Sequence, residues 1–205
     1  MASPLGSARI DGRRLRSERT RQAIIEAYLA LLGESSRMPT ATAIAEKSGC
    51  SVRSIFERFP DLLAVRVAAT DHALALGNSQ AAPRDIDGDR YTRVKSQVET
   101  RGRTCERWLP LWRALNANQG DSDELKSRIQ FVHLAIGKRL ELMYARELST
   151  LAEDERKRRV IALQTLTDFE SWGRMRELHG LSIEDSCAVW IRSIDRLLPP
   201  TPAGP

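Results

Sequence analysis

Residues 38 to 60, Met-Pro-Thr-Ala-Thr-Ala-Ile-Ala-Glu-Lys-Ser-Gly-Cys-Ser-Val-Arg-Ser-Ile-Phe-Glu-Arg-Phe-Pro, constrain this chain more than any other stretch. Thr40 can cap a helix by accepting a bond from an otherwise orphan amide. The helix it opens carries Ala41, Ile44 and Ala45 at the i, i+3, i+4 spacing of one apolar face. Gly49 supplies the left-handed residue at which a helix ends cheaply. Ser51 is a second capping residue, after which Val52, Ile55, Phe56 and Phe59 repeat at i, i+3, i+4, i+7. Pro60 closes the segment, because proline disfavours helical geometry in the residue before it. Two short helices joined by a tight turn containing glycine form a helix-turn-helix.

Arg53, Ser54 and Arg58 lie off the greasy face of the second helix. Such a set suits a helix that reads DNA, since arginine forks onto guanine edges or phosphate and a serine hydroxyl serves either. The same pattern also fits a helical hairpin whose charges are merely solvated.

Charge favours the DNA reading. Net charge is +5 over 205 residues, and the first 60 residues hold ten Arg or Lys against six Asp or Glu. A basic front end on a near-neutral body fits contact with a polyanion, although a solvated basic tail reads the same way. A hydrophobic fraction of 41% supports a real core. Cys50, Cys105 and Cys187 are far apart and odd in number, so they offer neither metal-ligand spacing nor a closed disulfide set. They read as reduced thiols of a cytoplasmic protein. No apolar run approaches the roughly 20 residues of a membrane span, and the N-terminus lacks the apolar segment of a secretory signal.

Residues 1 to 16 read as a flexible basic arm, with Arg13, Arg14 and Arg16 able to follow phosphates or enter a minor groove. A first helix is predicted from Ser17 to Leu32, and a fourth from Leu62, capped by Asp61, to about Leu76. Residues 77 to 90 are dense in turn formers and mark a boundary. Beyond it helices are expected over Tyr91–Trp108, Pro110–Ala117, Ser122–Leu148, Ala152–Leu178 and Ile183–Leu198, stopped by Pro199 and Pro200. No segment shows sustained period-2 alternation. The expectation is an all-α chain: arm 1–16, DNA-binding domain 17–61, ligand-binding and dimerisation domain 62–198, and tail 199–205.

Ile44-Ala45-Glu46, Ser48-Gly49-Cys50-Ser51, Ile55-Phe56 and Arg58-Phe59-Pro60, with the helix before them, resemble the N-terminal domain of the TetR family of transcriptional regulators. The match covers about residues 17 to 67. Leu166 to Trp172 and Leu181 to Glu184 are similar in style to the closing helices of many members. The resemblance implies a three-helix DNA-binding head followed by a helical body. It places Thr42, Ser51, Val52, Arg53, Ser54, Phe56 and Arg58 at the duplex. Spacing turns Val52 and Phe56 inward; the resemblance turns Val52 out, where its methyls can meet a thymine methyl, while Phe56 stays open between the two. Members usually have tyrosine at Phe56, often histidine at Arg58, and often lysine at Leu62. The leucine removes one phosphate contact, which flattens the salt dependence of binding by about one unit of slope.

A recognition helix reads few base pairs, so the expected partner of double-stranded DNA is a homodimer on a palindromic operator, with half-sites about 34 Å or a multiple apart. Val160, Ile161, Leu163, Leu166 and Phe169, with Ala188, Val189, Ile191, Ile194, Leu197 and Leu198, form the candidate dimer face as a four-helix bundle. Closure of the monomer core is the alternative use. Trp108, Trp112, Phe131, Met143, Trp172 and Met175, with His133 as a hydrogen-bonding group, are candidates to line a pocket for an unknown small apolar or aromatic ligand. Ordinary core packing accounts for each of them separately. Ligand binding is expected to relieve repression, with the fourth helix carrying the coupling.

No Gly-rich phosphate loop, nucleophile elbow, His-x-x-x-His or Cys-x-x-Cys is present, so neither an enzyme nor a cofactor is expected. A helical protein-binding adaptor without sequence-specific DNA binding is the remaining alternative.

Overall fold

The computed structural model describes residues 5–35, 38–80, 82–120 and 122–203, with side chains from Gly12 onward except Arg13. It is all-α, with no strand among the described residues. Two compact units divide the chain, Met1–Ala75 and Leu76–Pro205, so the division falls inside a helix and beyond Asp61. Among the described residues no helix is long and apolar enough to cross a membrane.

The first unit contains α1 (Leu5–Glu34), α2 (Ala41–Ser48), α3 (Val52–Phe56) and the start of α4 (Leu62–Gln80). α1 begins well before Ser17. Residues 5–16 are therefore helical rather than an irregular arm, while residues 1–4 of that arm lie outside the described residues. Arginine and leucine lose little rotamer freedom in a helix, and the glycines at 6 and 12 cost about 1 kcal/mol each without ending it. Ile24, Ile25, Tyr28 and Leu32 of α1 are buried, as are Ile44 and Ala45 of α2, which packs on α1. Asp61 caps α4 as expected, its Oδ1 accepting from the Ala64 amide at 2.7 Å.

The second unit is organised around α5 (Arg90–Asn118), with α6 (Asp123–Met143), α7 (Ala145–Leu148), α8 (Glu153–Leu166), α9 (Phe169–Gly173), a π-turn (Arg174–Leu178) and α10 (Ile183–Leu197). α5 packs on α6, α9 and α10. At Gly102 a β-carbon would meet the Trp172 ring at 2.9 Å and the Cys187 sulfur at 3.1 Å, so a close helix approach there requires glycine. Trp172 and Trp190 lie beside this point with ring centroids 5.0 Å apart. Burial pushes the Cys105 thiol up to about 11, which leaves it an unreactive core residue.

Three expected boundaries differ. Pro110 does not divide α5, because Leu109, Leu111, Trp112 and Leu115 on either side are buried and hold the helix together across it. The helix predicted over Ser122–Leu148 breaks at Tyr144 (φ −114°), where the Met143 carbonyl is taken by Arg93 Nη1 at 2.7 Å. The helix predicted over Ala152–Leu178 breaks at Thr167 and Asp168: Arg101 Nε donates to the Thr167 carbonyl at 2.9 Å, and the Asp168 carboxylate accepts from the Phe169 amide. In each break a side chain from a distant element takes up a main-chain group, which sequence does not show; only the second break has a local mark, the capping residue Asp168.

Of the proposed dimer-face residues, Val160, Leu163, Phe169, Ile194 and Leu198 are buried in the unit's own core. Ile161 and Val189 are 61% and 42% exposed, with Leu166, Ala188, Ile191 and Leu197 in between.

Candidate nucleic-acid interface

The Thr40 hydroxyl accepts from the Ala43 amide at 3.2 Å and opens α2. Gly49 (φ 68°) ends it, and the amides of Gly49 and Cys50 return to the carbonyls of Glu46 and Ala45 at 3.4 and 3.1 Å. Ser51 then accepts from the Ser54 amide at 3.0 Å and bonds the Ser54 hydroxyl at 3.0 Å. Two caps and one left-handed glycine thus fix the angle at which α3 leaves α2.

Ile55 and Phe59 anchor α3 and are fully buried. Val52 and Phe56 are 38% and 46% exposed, so the stripe expected from spacing is narrower than four residues. With only five residues, α3 has one flank covered by α2, and its outer flank stays in solvent. That turns Val52 outward, as the family resemblance implies, and answers the open question for Phe56 in the same direction. Thr42, Ser51, Val52, Arg53 and Phe56 are all exposed. Arg53 is the most prominent, its side chain 87% accessible. Arg58 is held back: its Nη1 donates to the Ser54 carbonyl at 2.9 Å, and its side chain is 22% accessible. Ser54 is half-buried.

Two further residues shape this surface. Glu57 accepts from Arg53 Nε at 3.0 Å and lies 3.8 Å from Arg58 Nη1, which places a carboxylate between the two arginines. Its i, i+4 spacing from Arg53 was the available signal. Arg21 on α1 lays its guanidinium over the Phe59 ring at 4.4 Å and donates to the Arg58 carbonyl at 3.5 Å, bracing the end of α3. In sequence it is one arginine among the many of the basic front end. Arg14, Arg16 and Arg19 stand exposed along α1.

The ligand candidates fall into two groups in the second unit. Trp112 is buried, stacks on Phe169 (4.9 Å, 18°) and meets the exposed His133 edge-on at 5.3 Å. Trp172 is buried against Trp190 and donates its indole N–H to Glu106 at 2.6 Å; Met175 is buried in the π-turn that follows. Met143 is buried at the end of α6, while Trp108 is half-buried beneath the Arg107 guanidinium. Phe131 is 49% exposed.

No family model matches the sequence, and no curated protein matches it at a significant level. Solved structures do match the fold. A Rhodococcus sp. structure assigned to the TetR family of transcriptional regulators superposes with a TM-score of 0.68 at 17% identity, covering 87% of this chain and 98% of the other. A transcriptional regulator from Rhodococcus sp. Rha1 gives 0.63 at 14% identity over 91% and 99%. A Mesorhizobium loti structure assigned to the TetR family gives 0.61 at 14% identity over 89% and 96%. The chain has the fold of TetR-family transcriptional regulators.

Proposed function

We propose that the chain is a DNA-binding transcriptional regulator whose first unit lays α3 in the major groove. The observation that carries this reading is the capped five-residue α3, anchored by Ile55 and Phe59, with Val52, Arg53 and Phe56 facing away from the anchor. Arg53 is assigned to base edges, Val52 to a thymine methyl, and Arg58, Thr42, Ser51 and Ser54 to phosphates or neighbouring base edges. Phe56 adds apolar contact alone, since it lacks a hydroxyl.

The regulator works as a homodimer on a palindromic site, with Ile161 and Val189 at the centre of the contact between copies. It acts as a repressor released by a small ligand in the second unit, where Trp112 and His133 are the aromatic candidates that touch one another. Coupling of about 1–3 kcal/mol between ligand and operator suffices for release.

Selection of bound duplexes from a random pool tests the reading, and a palindrome should emerge. The doubly substituted R53A/R58A protein should keep its circular dichroism spectrum and lose tight capture of that site. Enrichment of no sequence at near-physiological salt would favour the adaptor alternative instead.

A further inference from the structure

α5 carries three large polar side chains at i, i+4 and i+8, Arg93, Gln97 and Arg101, and all three are buried. Helices that face a core seldom spend three successive turns this way. Arg93 is accounted for: Glu147 accepts from it at 2.5 and 2.8 Å in a bidentate pair. The other two positions lack an acid.

Arg101 Nε donates to the Thr167 carbonyl, and its guanidinium is braced over the Phe169 ring at 4.4 Å. Among the described residues its buried Nη2 has no hydrogen-bond partner. Gln97, one turn earlier, accepts from Arg139 Nε of α6 at 2.6 Å, which brings a second guanidinium to the same place. Among the described residues Arg139 Nη2 reaches the Ala82 carbonyl alone, at 3.3 Å. The Tyr144 hydroxyl, one turn beyond Arg139 and the Leu140 next to it, is also buried without a partner among the described residues. Among the described residues no carboxylate comes within ion-pair distance of Arg101 or Arg139. Asp168, beside Thr167, spends its carboxylate on the Phe169 amide. Burial, and then repulsion by Arg101, hold the Arg139 guanidinium below its ordinary value; Tyr144 acts the other way, and Arg84 adds to the repulsion. Arg101 is buried and Arg139 half-buried, and a cation withdrawn from water without a counter-charge is costly, the more so beside an orphan donor.

We propose that the second unit binds a small organic anion, its carboxylate or phosphate held between Arg101 and Arg139, with Gln97 and the Tyr144 hydroxyl beside it. The fork of a guanidinium suits either head group. The bound anion supplies the charge the fold omits, and Phe169 keeps the plane of Arg101 aimed at it. This rests on the reading of the second unit as the ligand-binding part of a regulator and gives that ligand a charge.

Calorimetric titration of the full chain with benzoate, phenyl phosphate and neutral benzamide, without DNA, tests it. One or both anions should bind and benzamide should not, and the anion that binds identifies the head group. Arg139→Gln should weaken that binding by about 10- to 100-fold, the value of one or two charged hydrogen bonds. Arg101→Met, verified as folded by circular dichroism, should do the same. Binding of benzamide as tight as the anions, unchanged anion binding in Arg139→Gln, or no binding of either anion overturns the proposal. Palindrome capture by a protein deaf to both anions would sink this site and leave the regulator standing. Anion binding by a protein that captures no duplex would do the reverse.

Discussion

Glu57 places a negative charge in a surface proposed to meet phosphates, so its energetics decide what it does there. Arg53 is almost fully accessible, and an ion pair so exposed contributes only about 0.2–1 kcal/mol. The pair is therefore weak enough to open on the duplex, yet it withholds part of the arginine's charge from any DNA passed at random. Glu57→Gln is expected to raise affinity for non-operator duplex about two- to fivefold and to steepen the salt dependence, measured by anisotropy across a salt series. Weaker operator binding would instead mean that Glu57 itself accepts from a cytosine amino group. The residues around it were legible to different degrees. Thr40, Gly49 and Ser51 act locally, so their roles follow from residue type alone. Val52 and Phe56 obey the same spacing as Ile55 and Phe59; what separates them is how little of α3 its neighbours cover, which spacing does not record.

At the scale of the element, α3 is too short to be stable by itself, since isolated helices under roughly 12 residues are marginal in water. Its caps therefore carry a large share of its order. Ser51→Ala removes the acceptor for the Ser54 amide and should cost about 1 kcal/mol in denaturant unfolding, with a parallel loss of operator affinity. An unchanged unfolding midpoint would show that tertiary anchoring by Ile55 and Phe59 alone fixes the helix. The same distinction explains which elements the sequence betrayed. α2, α3 and α10 begin at Thr40, Ser51 and Ser182, whose hydroxyls each accept from an amide three residues on. The break at Tyr144 has no local signal and the one at Thr167 has only the capping Asp168, because Arg93 and Arg101, some 50 or more residues away, take up the freed carbonyls. The candidate anion site is invisible for the same reason: three polar residues on α5 and α6 and a tyrosine at the break after α6 mean nothing until folding leaves them without acids.

Across the whole molecule, the second unit trades two kinds of buried charge against each other. Arg93 and Glu147 are 2% and 0% accessible, and Thr201 adds a bond to Glu147 Oε1 at 2.5 Å, tying the tail to the pair. Burial acts to raise the Glu147 carboxyl, but the bonds from Arg93 and Thr201 outweigh it and hold the group below its usual 4.5. A depressed folded-state value means that its contribution is fully present above pH 4.5 and is lost as pH falls through the lower folded value. Glu147→Gln leaves Arg93 buried without its counter-charge, which should cost about 3–5 kcal/mol at neutral pH and flatten the acid limb of the stability curve. An unaltered acid limb would assign acid unfolding to other carboxylates. The proposed dimer makes a separate demand on this unit. Most of its long apolar residues are consumed internally, so association must rest on what remains outside, and Ile161 at 61% exposure is the largest such residue on α8. Ile161→Glu changes nothing inside the core, so the monomer should keep its unfolding midpoint. If the α8 face joins two copies, wild-type protein should sediment at twice its 23.0 kDa mass and the variant at once that mass. Operator affinity should fall with it, because a single α3 reads too few base pairs to hold a site alone. A variant that stays dimeric would move the contact elsewhere on the second unit, and a wild-type protein that sediments as a monomer would remove the palindrome along with the dimer.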